Sequence, residues 1–370
     1  MAELSKTEKA ILELISNNPF IGQSNIAKDL NLARSTIAVH ITQLVSKGLL
    51  FGRGYIHPTS QKITCIGGIA FNRKYALNDI PVLGTSNPGV SSQSHGGVIR
   101  NIAENMARLD VDVCLISIVG EDESGRELLS HMRSLGVDIS QVAFSNDKPT
   151  AEYVAIFDSA NELVFGIASM EILDQITPAQ IERSWSHISS SDWVVLDCNL
   201  PSETIKKILY LKQKADFKIA VDTVSVSKAK RLPRDLSMID ILFTNRDEAN
   251  AILNFRSEIS GPDIDELAIL LRKLGSKGVV LTDGANGHVI NIEEEVFATP
   301  ALSSNVINVS GAGDALVAGF ISKIRSGASV CEASKVGAAL SALTIESELD
   351  VRQDLSVSTL NNYIAKKIKD

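Results

Sequence analysis

No two cysteines of this sequence are spaced as a pair. Cys65, Cys114, Cys198 and Cys331 are scattered through apolar contexts, which argues against a disulfide framework or a cysteine-built metal site and fits buried free thiols in a reducing compartment. No apolar run reaches the length of a membrane span. The first residues carry acids and lack the apolar stretch of a secretory signal, so a cytoplasmic chain with no membrane partner is expected. Internal repeats and low-complexity tracts are missing as well. Positive charge is scarce: 36 Lys and Arg stand against 44 Asp and Glu in 370 residues, a formal −8, so the whole chain is no general nucleic-acid binder. The N-terminal piece departs from this. There Lys6, Lys9, Lys28, Arg34, Lys47 and Arg53 outnumber Glu3, Glu8, Glu13 and Asp29, which leaves +2 on residues 1–60 and −10 on the rest.

What is present starts with a globular composition, 44% apolar and 22% charged, on a chain long enough for two or three domains. Residues 5–17, "SKTEKAILELISN", open on a capping box, Ser5 with Glu8, and continue with Ala10, Ile11, Leu14 and Ile15 at helical spacing. "QSNIAKDL" predicts a second helix and Asn31-Leu32-Ala33 a tight turn. "RSTIAVHITQLVSKG" predicts a third helix, with Ile37, Ile41, Leu44 and Val45 on one face and Gly48 as its stop. "LLFGRGYIHP" reads as a short β-ribbon around Gly52-Arg53-Gly54. Helix, helix, turn, helix, ribbon is the order of a winged helix-turn-helix, expected over residues 1–60.

From Thr64 onward the pattern changes. "ITCIGGIA", "DVCLISIVG", "WVVLDCNL", "FKIAVDTV", "MIDILFTN" and "GVVLTDG" are short β-rich apolar runs, most ending in Gly, Asp or Asn. Helical segments at 98–109, 123–135, 201–214 and 263–275 lie between several of them. Strands alternating with helices predict an α/β fold, a parallel sheet covered on both faces. Ligands of such sheets lie beyond the carboxyl ends of the strands, so the polar residues there carry the chemistry. Two further strand-like stretches, 76–92 and 150–166, predict a small appended sheet.

Four motifs sit at those strand ends. In "INVSGAGDALVAGF", residues 307–320, Gly311 and Gly313 let the backbone turn tightly and converge its N–H groups, with Ala312 between them. The helix beginning there adds its positive end, which makes an anion hole for a transferring phosphoryl group. Asp314 is placed to take a proton from a substrate hydroxyl; in isolation it is also an ordinary helix start behind a glycine turn. "SHGGVIRNIAENMARL" sets Gly96 and Gly97 before a helix carrying Asn101, whose amide can donate to and accept from sugar hydroxyls. "TNRDEANAIL" places Asn245 and Glu248 three apart, a pair suited to water-bridged Mg²⁺ and, taken alone, equally a capping box. "LTDGANGHV" supplies Thr282, Gly284 and Gly287, a loop that can fold over a nucleotide or simply turn a hairpin.

The four in this order, over residues 62–350, resemble the PfkB (ribokinase-like) family of carbohydrate and nucleoside kinases. The resemblance implies a ribokinase-like three-layer α/β sandwich over 61–370 with a small β lid from the 76–92 and 150–166 stretches. It implies Asp314 as catalytic base, Gly311, Ala312 and Gly313 as anion hole, and Asn245 and Glu248 as the pair for Mg²⁺ and phosphate. Thr282, Gly284 and Gly287 become ATP contacts, and Gly96, Gly97 and Asn101 the sugar site. Within the family, "NPGVSSQSHGGVIRNIAENMARL", "VLDCNLP", "VDTVSVSKAKRL" and "AALSALTIESELDV" most resemble pseudouridine kinases. The expected reaction is phosphorylation of a primary hydroxyl of a ribose-containing nucleoside, pseudouridine first. Another nucleoside or sugar stays open, as does a DNA-binding regulator that uses the kinase fold as a ligand sensor.

Two positions depart from the family. Where many members carry an Asp on the first strand that binds substrate hydroxyls, "IGGIAFNRKY" offers Asn72. Where many carry an Asp linked to a monovalent-cation site, three residues before Gly311, this chain has Asn308, so potassium activation does not carry over. In the N-terminal piece Arg34, Ser35, Thr36, Val39 and His40 face away from the apolar side of the third helix and suit the major groove, with Arg53 at the ribbon tip for a phosphate or the minor groove. One winged helix makes few phosphate contacts, so DNA binding here requires a homodimer on two half-sites. His95, Trp185, Trp193, Lys228 and Lys230 read as solvated or core residues.

Overall fold

The computed structural model describes residues 4–18, 21–50, 62–160, 162–254, 262–292 and 295–368. At the N-terminus the Ser5 hydroxyl accepts from Glu8 N and the Glu8 carboxylate accepts from Ser5 N, which starts the helix Lys6–Asn17. Glu8 also pairs with Lys47 at 2.7 Å, tying this helix to the end of the third. The helices Gln23–Asp29 and Arg34–Ser46 follow, with Asn31 in the left-handed region between them. Ile11, Ile15, Ile26, Ile37, Ile41, Leu44 and Leu50 form a core of their own. The third helix stops at Gly48, φ 73°, where a Cβ would lie 2.2 Å from Ser189 O. Only a glycine lets this unit rest against the rest of the chain there. Most of the expected ribbon, Arg53 and the 60/61 boundary lie outside the described residues.

The large sheet has eight strands in the order Glu295–Thr299, His288–Ile292, Gly278–Thr282, Ile241–Asn245, Lys218–Asp222, Trp193–Asp197, Ile63–Ile66, Val113–Ile116. The last six run parallel and the first two are antiparallel additions at one edge. The six apolar runs read from the sequence supply those six parallel strands. Alternation along them feeds two cores: Ile63, Cys65, Trp193 and Val195 on one face, Ile66, Val194 and Leu196 on the other. The first face is covered by the helices Val98–Arg108, Glu123–Ser134, Ala312–Arg325, Val330–Ile345 and Val357–Lys367. The second is covered by Ser202–Lys212, Arg246–Ile252 and Ile264–Lys273. The result is three layers, helix, sheet, helix.

A second sheet of four strands, Gly89–Gly96, Ala70–Leu77, Glu152–Phe157 and Leu163–Ser169, stands over the carboxyl ends of the first. It is broader than 76–92 and 150–166. Residues 78–88 are the connection of a hairpin whose strands extend back to Ala70 and on to Gly96. Ala70, Phe71 and Gly96 are buried and Asn72 half-buried, so this end of the hairpin shows no clean polar alternation in the sequence.

Candidate active site

Gly311 takes the left-handed conformation, φ 78°, and caps the helix Ala312–Arg325. The Cβ it lacks would lie 2.1 Å from Asp350 O, so the loop carrying Asp350 is pressed against the turn. Gly313 differs: a Cβ there would meet nothing within 4 Å. Open space therefore faces the first-turn amides, where a tetrahedral anion fits. Asp314 is half-buried, and its Oδ2 accepts from Asn101 Nδ2 at 2.6 Å. Burial pushes its carboxyl up to about 7; the Asn101 hydrogen bond opposes this and the nearby Asp350 charge adds to it.

Asn101 comes from the first turn of Val98–Arg108 and is itself buried. Its Oδ1 accepts from Arg100, whose guanidinium also donates to Glu104 and to the carbonyls of Gly96 and His95. Burial alone would raise Glu104, but His131, Arg100 and Arg108 hold it down at about 2. A buried ionic network thus fixes the amide that touches Asp314. Gly97, φ 96°, lets the helix start against the backbone of residues 68–70, and a Cβ on Gly96 would meet the Asn72 side chain at 2.3 Å. The clearance at both glycines is filled by the protein's own backbone at residues 68–70 and by Asn72. Asn72 Nδ2 in turn donates to Asp350 Oδ2 at 2.9 Å.

On the far side of Asp314 a cavity of about 160 Å³ is lined by Asp222, Asn245, Glu248, Thr282 and Gly313. Asn245 and Glu248 form the reciprocal capping box: Asn245 Oδ1 accepts from Glu248 N at 2.9 Å, and Glu248 Oε2 accepts from Asn245 N at 3.2 Å. Thr223 donates to the same carboxylate. The cap and the site are therefore one arrangement. Asp222, half-buried at the end of its strand, is pushed well above the usual carboxylate range by desolvation and by Asp314 and Glu248. With Asp314, which also lines it, Asp222 and Glu248 put three carboxylates on a cavity whose lining holds no Lys or Arg; hard oxygen donors short of a cation fit Mg²⁺. Val224, beside them, has φ 67°, a strained value for a β-branched residue; its N–H donates to Asp222 Oδ1 at 2.8 Å.

Next to Gly313 opens a larger cavity of about 460 Å³, lined by Thr282, Gly284, Gly287, Ala312, Leu316 and Ala342 among others. Gly287, φ 91°, lies where a Cβ would strike Thr299 O at 2.1 Å, so the turn closes directly on the neighbouring strand. The mostly apolar lining suits a planar base, with phosphates toward Gly313.

The structure thus brings Gly311, Ala312, Gly313, Asp314, Asn101, Asn72, Asn245, Glu248, Thr282, Gly284 and Gly287 to one end of the sheet. Sequence reading passed over Asp222, Thr223, Arg100 and Asp350; Asp222 could have been found as the acid ending the "IAVD" strand. His95 is not freely solvated. It packs on His131 with ring centroids 4.4 Å apart, and burial lowers its pKa. In the N-terminal unit Arg34, Ser35 and Val39 are exposed, while Thr36 and His40 are partly covered. Among the described residues no helix is long and apolar enough to cross a membrane.

Residues 60–353 match the family described as pfkB family carbohydrate kinase, and residues 4–50 match winged helix-turn-helix DNA-binding. The chain is 29% identical over 342 residues to an uncharacterized sugar kinase, YeiI, of Escherichia coli (strain K12), covering 92% of this chain and 94% of that one. It is 31% identical over 281 residues to the pseudouridine kinase of the same organism, 75% of this chain and 88% of the relative. Among solved structures, a carbohydrate kinase from Agrobacterium tumefaciens superposes with a TM-score of 0.72 at 30% identity, over 83% of this chain and 97% of that one.

Proposed function

The chain belongs to the pfkB family of carbohydrate kinases with an N-terminal winged helix-turn-helix domain, and from that premise we propose that it phosphorylates the 5′-hydroxyl of a ribose-containing nucleoside, pseudouridine before others. The observation that supports it is the placing of Asp314 between the Asn72–Asn101 side and the Asn245–Glu248 side, with the open Gly313 amides in front. The choice of pseudouridine leans on the 31% identical relative of that name.

In this reading the nucleoside lies under the small sheet, its primary hydroxyl toward Asp314. As that oxygen attacks the γ-phosphorus of ATP, Asp314 takes its proton, the bond to the ADP oxygen breaks, and the nucleoside 5′-phosphate and ADP result. The amides of Ala312 and Gly313 face the charge on the transferring group, and Asn101 keeps Asp314 aimed. Mg²⁺ held by Glu248 and Asn245, with Asp222 on the same cavity, would neutralise phosphate charge. Thr282, Gly284 and Gly287 border the nucleotide. Little covalent chemistry is asked of the protein; positioning and electrostatics supply the rate. The small sheet acts as lid. Its face turned away from Asn72 exposes Tyr75, Phe165 and Ile167, which suits a homodimer.

The test is a panel of pseudouridine, uridine, inosine, ribose and fructose with ATP and Mg²⁺. The expected order puts pseudouridine highest in kcat/KM. A preference for another member would retire the substrate assignment; turnover of none would retire the kinase reading.

A further inference from the structure

The two asparagines that break the family pattern, Asn72 and Asn308, arrive at the same carboxylate. Asn72 Nδ2 donates to Asp350 Oδ2 at 2.9 Å. Asn308 Nδ2 lies 3.5 Å from Asp350 Oδ1 while donating to Glu348 O at 3.0 Å. Asp350 is only 5% exposed. Its backbone is held against Gly311 at the catalytic turn, and its charge acts on both Arg100 and Asp314. It also borders a cavity of about 250 Å³ together with Phe71, Gln93, Ser94 and Arg100.

The chemistry of these groups assigns the roles. An ionised carboxylate only accepts hydrogen bonds and has about four lone-pair positions. One close amide and one distant amide leave Asp350 with free acceptor capacity. Asn72 is turned toward that carboxylate: one Nδ2 hydrogen is donated to Asp350, and its Oδ1 lies where a Cβ on Gly96 would be. Were residue 72 an aspartate, its oxygens would stand at hydrogen-bond distance from those of Asp350, and one of the two would have to take a proton. A carboxylate can therefore sit at 72 or at 350 in this geometry, and this chain places it at 350. We propose that Asp350 is the residue that anchors the substrate's sugar hydroxyls, with Asn72 as the positioning residue that donates to it. This rests on the reading above that the site takes a hydroxyl-bearing sugar.

The test compares full-length wild type, Asp350→Asn, Asn72→Asp and the exchanged double variant Asn72→Asp/Asp350→Asn. Pseudouridine and ribose are titrated by calorimetry without ATP, kinetics are run with ATP, and melting checks each fold. Asp350→Asn is expected to weaken binding and raise the sugar-side KM about tenfold or more, with the ATP KM unchanged. Asn72→Asp, with two acids in contact, should bind worst and melt lowest. The exchange should recover affinity to within a few-fold of wild type, which a merely structural role for Asp350 does not predict. Binding by Asp350→Asn within twofold of wild type, an exchange no better than the single variants, or no saturable binding of either probe to wild type overturns the inference. Binding that depends on Asp350 without phosphoryl transfer would overturn the kinase reading and leave this one standing; turnover with an unchanged KM in Asp350→Asn would do the reverse.

Discussion

At the scale of single residues the proposed reaction turns on how Asp314 is kept both basic and aimed. A carboxyl pushed up to about 7 accepts a proton far better than an ordinary aspartate, and the Asn101 amide prevents it from rotating away. Asp314→Asn is expected to lower kcat by roughly 10²–10⁴-fold while ATP binding, measured by calorimetry, stays within a few-fold. In the wild type the base must be ionised, so kcat/KM for the nucleoside should climb with pH and level off above about 7. The same shift has a stability consequence. A carboxyl whose pKa is raised on folding costs stability as pH rises from its unfolded value toward 7, so Asp314→Asn should melt higher than wild type at pH 8. A variant that melts lower there, or a flat rate profile from pH 5 to 8, would show that Asp314 is not the titrating base. Asp314 was legible because its glycines precede it in sequence. Asp350 was not, because it acquires its meaning from partners far along the chain, Asn72 and Asn308.

At the scale of elements Gly311 and Gly313, in the turn before Asp314, do different work, which composition could not distinguish. Gly311 is needed by the fold: its φ is positive and its missing Cβ is replaced by Asp350 O. Gly313 has empty space before it. Gly311→Ala is therefore expected to lower stability by about 2 kcal/mol or more. Gly313→Ala should leave the melting temperature unchanged or slightly raised, since alanine is the better helix former, yet cut phosphoryl transfer at least tenfold by filling the space in front of the amides. Equal effects of the two on melting would contradict this division. Elements themselves read well where local signals agree, as in the six apolar runs that became six neighbouring strands and the Ser5–Glu8 cap. The small sheet read less well, because its hairpin is buried at one end and exposed at the other and so lacks a single period. Asn245 and Glu248 show that a cap and a candidate metal site need not be rival readings of one motif.

At the scale of the whole molecule the question is what a helix-turn-helix unit gains by sitting on a kinase. The sequence showed two parts of opposite charge but not the seam between them, which depends on Gly48 meeting the backbone of Ser189 and Ser190. Close behind that seam, Asp192 pairs with Arg325 at 3.3 Å. Arg325 ends the helix whose first turn carries Asp314. One rigid element thus runs from the proposed base to the foot of the docking surface, so a shift of that helix on substrate binding has a packed route to the N-terminal unit. If the exposed face of Arg34, Ser35 and Val39 reads DNA, full-length protein should bind DNA from upstream of its own coding region more tightly than scrambled DNA. Affinity should fall steeply with salt and weaken in Arg34→Ala. Saturating nucleoside with a non-hydrolysable ATP analogue should then change that affinity by about 5-fold or more, the lower end of ordinary coupling energies. Arg325→Ala should abolish the change while retaining both DNA binding and phosphoryl transfer. Fluorescence anisotropy on the full chain at two salt concentrations, with and without ligands, decides among the outcomes. No preference over scrambled DNA removes the regulatory reading, and a preference indifferent to ligand leaves two activities that merely share a chain. A ligand effect that survives Arg325→Ala places the coupling elsewhere than in the helix Ala312–Arg325.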